Sequence, residues 1–133
     1  MPLASDLDVA SLLMPFEGVF PCGTDPREDA SGQSLYYRLR DARAEARDAE
    51  RRADGDAGDS GPSPQQWRTV RELATQLLRE RAKDLEVAAW LTEALVREAG
   101  VAGLTVGATV MRELAAAFWS AEVRIREVET AIQ

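Results

Sequence analysis

Few residues in this sequence are equipped to do chemistry. It contains no histidine, which removes imidazole acid–base catalysis, Ser-His-Asp and Cys-His nucleophiles and most zinc sites in one step. The one cysteine, Cys22, sits between Pro21 and Gly23, with Arg27 the nearest basic residue. A reactive thiolate needs an electropositive setting, so Cys22 reads as a small buried apolar side chain. Being single, it forms no internal disulfide and gives no sign of an oxidising compartment. Carboxylates remain. Asp54, Asp56 and Asp59 alternate in a Gly-rich stretch like the start of a calcium loop, but Gly58 stands at a ligand position and no bidentate Glu follows. That stretch reads instead as a flexible loop over about residues 53–63. A carboxylate-only hydrolase or metal-holding bundle places Glu inward, usually beside a Glu-x-x-His element. Without histidine, and with inward faces that carry acids only at helix ends, the expectation is no enzyme and no metal site. One cation stands apart: Lys83 is the only lysine among 16 basic residues.

The elements that hold these residues are helical. At 133 residues the chain is one ordinary domain, and 45% hydrophobic with 29% charged residues is a globular composition. A net charge of -7 argues against duplex DNA and anionic membrane as partners, since both require a positive footprint. No basic start leads into an apolar run, and no stretch approaches the roughly 20 apolar residues of a membrane span; the expectation is a cytoplasmic protein. Ser5 as N-cap, with Leu7, Val9, Leu12 and Leu13, predicts a short first helix that Pro15 ends. Residues 15–31 read as an extended Pro/Gly-rich segment pinned by Phe16, Val19 and Phe20 across the helical core.

A second helix is predicted over 34–52, with Leu35, Leu39, Ala42, Ala46 and Ala49 on one face and a charged far half that reads as a solvated face. Ser63-Pro64-Gln65-Gln66 supplies a cap for a third helix, in which Trp67, Val70, Leu73, Ala74, Leu77 and Leu78 recur at three and four. Lys83-Asp84-Leu85 opens a fourth, with Leu85, Ala88, Ala89, Thr92, Leu95, Val96 and Ala99 inward, Trp90 and Leu91 beside them, and Gly100 as its cap. After a turn at 100–103, a fifth helix is expected to bury Leu104, Ala108, Met111, Leu114, Ala115, Phe118 and Trp119. Its period continues through Ile125, Val128 and Ile132. The fold class is all-α: a bundle of about five helices in a single domain over 1–133, with its core at about 5–120 and a helical extension at 120–133.

Four blocks in fixed order carry a more specific signal. They are Pro15 through Pro21-Cys22-Gly23-Thr24-Asp25, then Trp67-Arg68-Thr69-Val70, then the run from Arg81-Ala82-Lys83-Asp84-Leu85 through Trp90-Leu91 to Leu95, and last Gly103-Leu104 with Phe118-Trp119. Together they resemble the ImpA N-terminal domain family, as in TssA-type proteins of bacterial type VI secretion systems, over about residues 5–120. The resemblance implies a non-enzymatic cytoplasmic adaptor without a cofactor, binding baseplate, sheath or tube components during assembly of the contractile sheath. In two respects the sequence departs from the family pattern. The family's Phe-Trp leads toward a proline and a linker, whereas residues 120–133 read as more helix. Full-length members also continue into a middle region and an oligomerising domain, so this chain is either the N-terminal piece of a longer protein or a stand-alone relative. The alternative function is a helical regulatory or chaperone-like module unrelated to secretion.

Within the motif, adjacent residues on a helix do not face each other, so Lys83 and Asp84 need separate partners. Asp84 is expected to cap the fourth helix while Lys83 meets a carboxylate or helix-end carbonyls; the competing reading is an exposed ion-pair anchor for a partner. Trp67 and Trp90 are expected to anchor the core, wedging the 16–22 segment against the bundle. Leu85, Leu91, Leu104, Phe118 and Trp119 read as motif core. Ile125, Val128 and Ile132 form a stripe expected to pack on a second copy or a partner helix.

Overall fold

A computed structural model describes residues 7–57 and 65–132, with side chains described over 7–53 and 65–118. Among these, the helices in chain order are α1 (Val9–Leu13), α2 (Leu35–Ala57), α3 (Gln66–Glu80), α4 (Leu85–Ala99) and α5 (Val101–Ile132), with a 3₁₀ turn at Pro26–Glu28. Each long helix packs on the next, α2 on α3, α3 on α4 and α4 on α5, while α1 lies against α3 and α5. No strand occurs among the described residues; the β pairing is an isolated antiparallel bridge from Gly23 to Ala82. The all-α expectation holds.

The 3.6-residue period fixes α3 most firmly: Trp67, Val70, Leu73, Ala74, Leu77 and Leu78 are all buried, as their spacing predicts. Its start differs. Gln65 occupies the N-cap without a side-chain cap bond, and Ser63 and Pro64 lie outside the described residues. In α1 the cap is Asp8, whose carboxylate accepts from the Ser11 N–H at 3.3 Å; Ser5 lies outside the described residues. Met14 already has extended backbone, in keeping with the proline that follows it.

Helix α2 continues to Ala57, five residues past its predicted end. The apolar face thins there, but Asp48 pairs with Arg51 and Glu50 is gripped from α4 by Arg97. Charged contacts thus hold the stretch of helix from which these last five residues continue. Asp54 and Asp56 consequently lie on helix backbone, not in a loop; Asp59 lies outside the described residues.

The face of α5 is rotated from the expected one. Gly103, Gly107, Val110, Leu114 and Phe118 are buried, whereas Ala108 is exposed and Leu104 is 50% exposed. The cause is steric. A Cβ on Gly103 would overlap the Leu95 carbonyl, and one on Gly107 would overlap the Thr92 side chain. Two glycines one turn apart let the α5 backbone press onto α4, and glycine carries no hydropathy by which this face could be read. On α4 itself, Val87 and Ala94 are buried and Ala89 is exposed, a similar small rotation of the expected stripe. The Val101–Phe118 window has a mean hydropathy of 1.3 and is 28% buried. By length and composition alone it meets the requirement for a membrane span, which a reading from unbroken apolar runs missed because its threonines, Arg112 and Glu113 interrupt the run. Here its buried stripe is the one facing α4.

A mid-helix Gly→Ala substitution ordinarily stabilises by about 1 kcal/mol. At Gly103 and Gly107 the sign is expected to reverse. Gly103→Ala should lower unfolding free energy by about 1–3 kcal/mol through overpacking, and by more than Gly107→Ala, because Gly103 faces backbone and Gly107 a side chain that can turn. Denaturant unfolding of the two variants checks both the sign and the order.

Candidate functional site

Two of the motif blocks, at 21–25 and at the Lys83-Asp84 step, come together where the ends of α1 and α3 meet the start of α4. Lys83 is 1% exposed. Its Nζ donates to the Leu12 carbonyl at 2.8 Å and the Leu78 carbonyl at 2.7 Å, and lies 4.5 Å from the centre of the Phe16 ring. Its backbone N–H donates to the Cys22 carbonyl at 2.7 Å. Leu12 and Leu78 lie in the last turns of α1 and α3, where carbonyls have no intrahelical donor and the helix dipole favours a cation. Of the two readings of Lys83, the helix-end-carbonyl one is correct, and burial removes the exposed ion-pair anchor. Burial pushes the ammonium down to about 8, with Arg79 adding repulsion.

Asp84 faces the other way. It caps α4, accepting from the Val87 N–H at 3.0 Å, and takes both Arg27 nitrogens, at 2.9 and 3.0 Å. Arg27 also reaches Asp25 at 2.8 Å and Glu86 at 3.0 Å and covers the Tyr36 ring at 4.9 Å. Burial opposes the Arg27 charge, but hydrogen bonds to Asp84 and Asp25 outweigh it and hold the guanidinium well above its ordinary value. Tyr36 Oη donates to Glu86 at 2.7 Å, and Tyr37 Oη donates to the Arg27 carbonyl at 3.2 Å. Burial and then Glu86 push the Tyr36 phenol up. Gly23 completes the clamp: its φ of 82° and its closeness to the Arg81 carbonyl exclude a side chain where the 22–23 backbone meets the α3–α4 connection.

Trp67 is a core residue and Trp90 packs against the core, as expected, but both indoles make their contacts with α2. Trp67 is 1% exposed, donates Nε1–H to Glu50 at 3.0 Å and has Arg97 over its ring at 4.4 Å. Half-buried Trp90 lies 5.5 Å from the Tyr36 ring and carries Arg43 at 5.5 Å. They seal the seams between α2 and its neighbours, and the side chain that meets Phe16 is Lys83. Sequence reasoning also missed the cross-helix pairs: Arg43 with Glu93 at 2.6 Å and Arg97 with Glu50 at 2.9 Å. The charged half of α2 is thus partly interior. Hydrogen bonds from Arg97 hold the Glu50 carboxyl below its usual range against the opposing effect of burial.

Among the other motif residues, Leu91 is fully buried, Phe118 is 4% exposed and Leu85 is half-buried. Leu104 is the exception noted above. Trp119, Ile125, Val128 and Ile132 lie on the α5 backbone, with side chains outside the described residues. Glu98 is an acid no motif pointed to. Its Oε2 is buried without a hydrogen bond, 3.7 Å from Arg71 Nε, and burial pushes the carboxyl up while Arg71 and Arg68 pull it back. Among the described residues, no group of three or more His, Cys, Asp or Glu is placed to hold a metal ion. A cleft of about 450 Å³ opens beside the 3₁₀ turn, between Asp25, Glu28, Arg38 and Arg81; it is polar and of mixed charge.

What the geometry defines is a helical bundle whose distinctive side chains are engaged in bracing an N-terminal segment. The chain belongs to the ImpA N-terminal family of the type VI secretion system, whose family model matches residues 13–122. It is similar to the type VI secretion system component TssA1 of Pseudomonas aeruginosa, with 34% identity over 115 residues. That match covers 85% of this chain and 30% of the relative. No solved structure matches.

Removing the Lys83 amine orphans two buried carbonyls, at about 1–3 kcal/mol each. Lys83→Met is therefore expected to lose about 2 kcal/mol or more at pH 7. Because the folded-state value lies below the unfolded 10.5, the unfolded chain binds more protons between pH 8 and 10.5, and wild-type stability rises with pH across that window. The gap between wild type and variant should widen by up to about 3 kcal/mol. Urea unfolding at pH 7, 8, 9 and 10 measures it; a gap that stays constant or narrows would mean that Lys83 is not desolvated.

Proposed function

We propose that this chain is a non-enzymatic adaptor domain of a type VI secretion apparatus, working in the cytoplasm and binding baseplate, sheath or tube components as the contractile sheath is assembled. The observation that carries this reading is the family match across 13–122, nearly the whole bundle. The described polar groups agree with it. Lys83, Asp84, Arg27, Glu86, Arg43, Glu93, Glu50 and Arg97 are all engaged in holding helices together. Such a domain acts through surface and shape, not through a reaction centre.

The reading is tested by titrating the labelled chain against purified sheath, tube and baseplate proteins of the same secretion cluster, one at a time. Saturable binding to at least one is expected. Binding to none would favour the alternative, a regulatory or chaperone-like helical module.

Self-association is a second element of the proposal. Opposite α4, α5 is more than twice as long, 32 residues against 15, so its distal half outruns the neighbour it packs on. Ile125, Val128 and Ile132 are spaced there by three and four, the pattern of a helix-pairing stripe. Light scattering over a concentration series should show a mass rising toward the dimer, and Ile125→Asp should hold it at the monomer. A monomer throughout for both chains would end this part of the reading.

A further inference from the structure

Three of the strongly exposed large apolar side chains lie within seven consecutive residues: Met14 at 64%, Val19 at 86% and Phe20 at 41%. The expectation that Val19 and Phe20 pin this segment to the core is thereby corrected: Phe16 is half-buried with the Lys83 ammonium over its ring, Val19 points to water, and Phe20 is only partly covered. The loop is nevertheless tied at its base. The Phe16 N–H donates to the Pro21 carbonyl and the Gly23 N–H to the Phe20 carbonyl, both at 2.9 Å. Gly18, with a φ of 110°, makes the bend at its tip, and Pro15 and Pro21 restrict either side. Below it stands Lys83, bound to Leu12 on the entering strand of chain, to the Phe16 ring within the loop and to Cys22 on the leaving strand.

A surface loop that keeps apolar tips in water while its base is fixed by a buried cation gains nothing in folding from those tips. It is, however, well suited to binding, because its ordering cost has been met beforehand. We infer that the 14–20 loop is a preformed apolar docking knob, and that its occupant is an apolar groove on a different protein of the same apparatus.

Charge and shape select that occupant. The one charged residue in the loop is Glu17, so the loop lacks the basic residues by which an interfacial segment holds an anionic membrane. A second copy offers a poor seat: of the clefts described on this chain, one carries Asp25, Glu28, Arg38 and Arg81 beside Leu35 and Leu77, and another carries Asp8, Arg68, Arg71, Glu72 and Arg79 beside Leu7. A convex apolar tip needs a concave apolar receiver, and seating it in either cleft would strip water from several charged groups. The inference rests on the adaptor reading above for the identity of the apparatus, while its location in the loop rests on exposure and anchoring alone.

The test uses the full chain as wild type, Val19→Asp, Phe20→Ser and, as a control, Val101→Asp, which alters an 80% exposed apolar residue at the start of α5. Circular dichroism and melting first confirm that all four fold alike, as expected for exposed positions. Each is then titrated against the sheath, tube and baseplate proteins individually. The expected result is a dissociation constant raised about tenfold or more by both loop variants and changed less than about twofold by the control. A component bound equally well by the loop variants overturns this inference and leaves the adaptor reading standing. Binding to no component by any chain overturns the adaptor reading, and the inference with it. Loop-dependent sedimentation with phosphatidylcholine vesicles, or a loop-dependent dimer in light scattering, overturns the choice of occupant.

Discussion

A buried ammonium must be given acceptors, and this fold supplies them from helix ends. The Leu12 and Leu78 carbonyls lie where α1 and α3 run out of internal donors, and Lys83 satisfies both. The next residue, Asp84, points the opposite way, capping α4 and gripping Arg27. Two adjacent side chains thus fasten the N-terminal segment twice, once from below through its carbonyls and once from the side through its arginine. Arginine could not replace the lysine without change, because a planar five-donor fork does not fit a site with two carbonyls and one ring. The Lys-Asp step is a junction that sets the positions of α1, α3, α4 and the segment between α1 and α2 together.

The same logic accounts for the placing of the acids in this chain. Asp25, Asp84 and Glu86 surround one arginine, Glu93 meets Arg43, and Glu50 meets Arg97 and the Trp67 indole. Half-buried pairs of this kind contribute modestly to stability, but they tie α2 across to α4, while its alanine-rich face packs on α3. Arg97 over Trp67 and Arg43 over Trp90 add a contact between the charge ladder and the indoles.

Much of this architecture is legible in the residues. The three-and-four spacing of Trp67 through Leu78 determines the buried face of α3, and Asp84 and Gly100 mark both ends of α4. The order of motif blocks carries the family. The α5 face is not legible, because its contact with α4 is made by Gly103 and Gly107, whose lack of a side chain is what matters; Leu104, the obvious apolar candidate, is turned outward. Nor are the cross-helix ion pairs, since Arg43 and Glu93 stand 50 residues apart and their local patterns match those of any solvated helix. The exposed loop tips were hidden for a related reason. Apolar residues next to prolines read as core anchors until the backbone shows which of them, Phe16 alone, reaches the cation.

The presence of one lysine makes the central claim directly measurable. In a chain labelled with carbon-13 at lysine Cε, a single side-chain resonance reports the titration of Lys83 in the folded protein. Desolvation of the buried ammonium, with repulsion from Arg79, predicts a midpoint of about 8. A midpoint near 10.5, the ordinary lysine value, would contradict that desolvation and with it the buried junction on which this account of the fold is built.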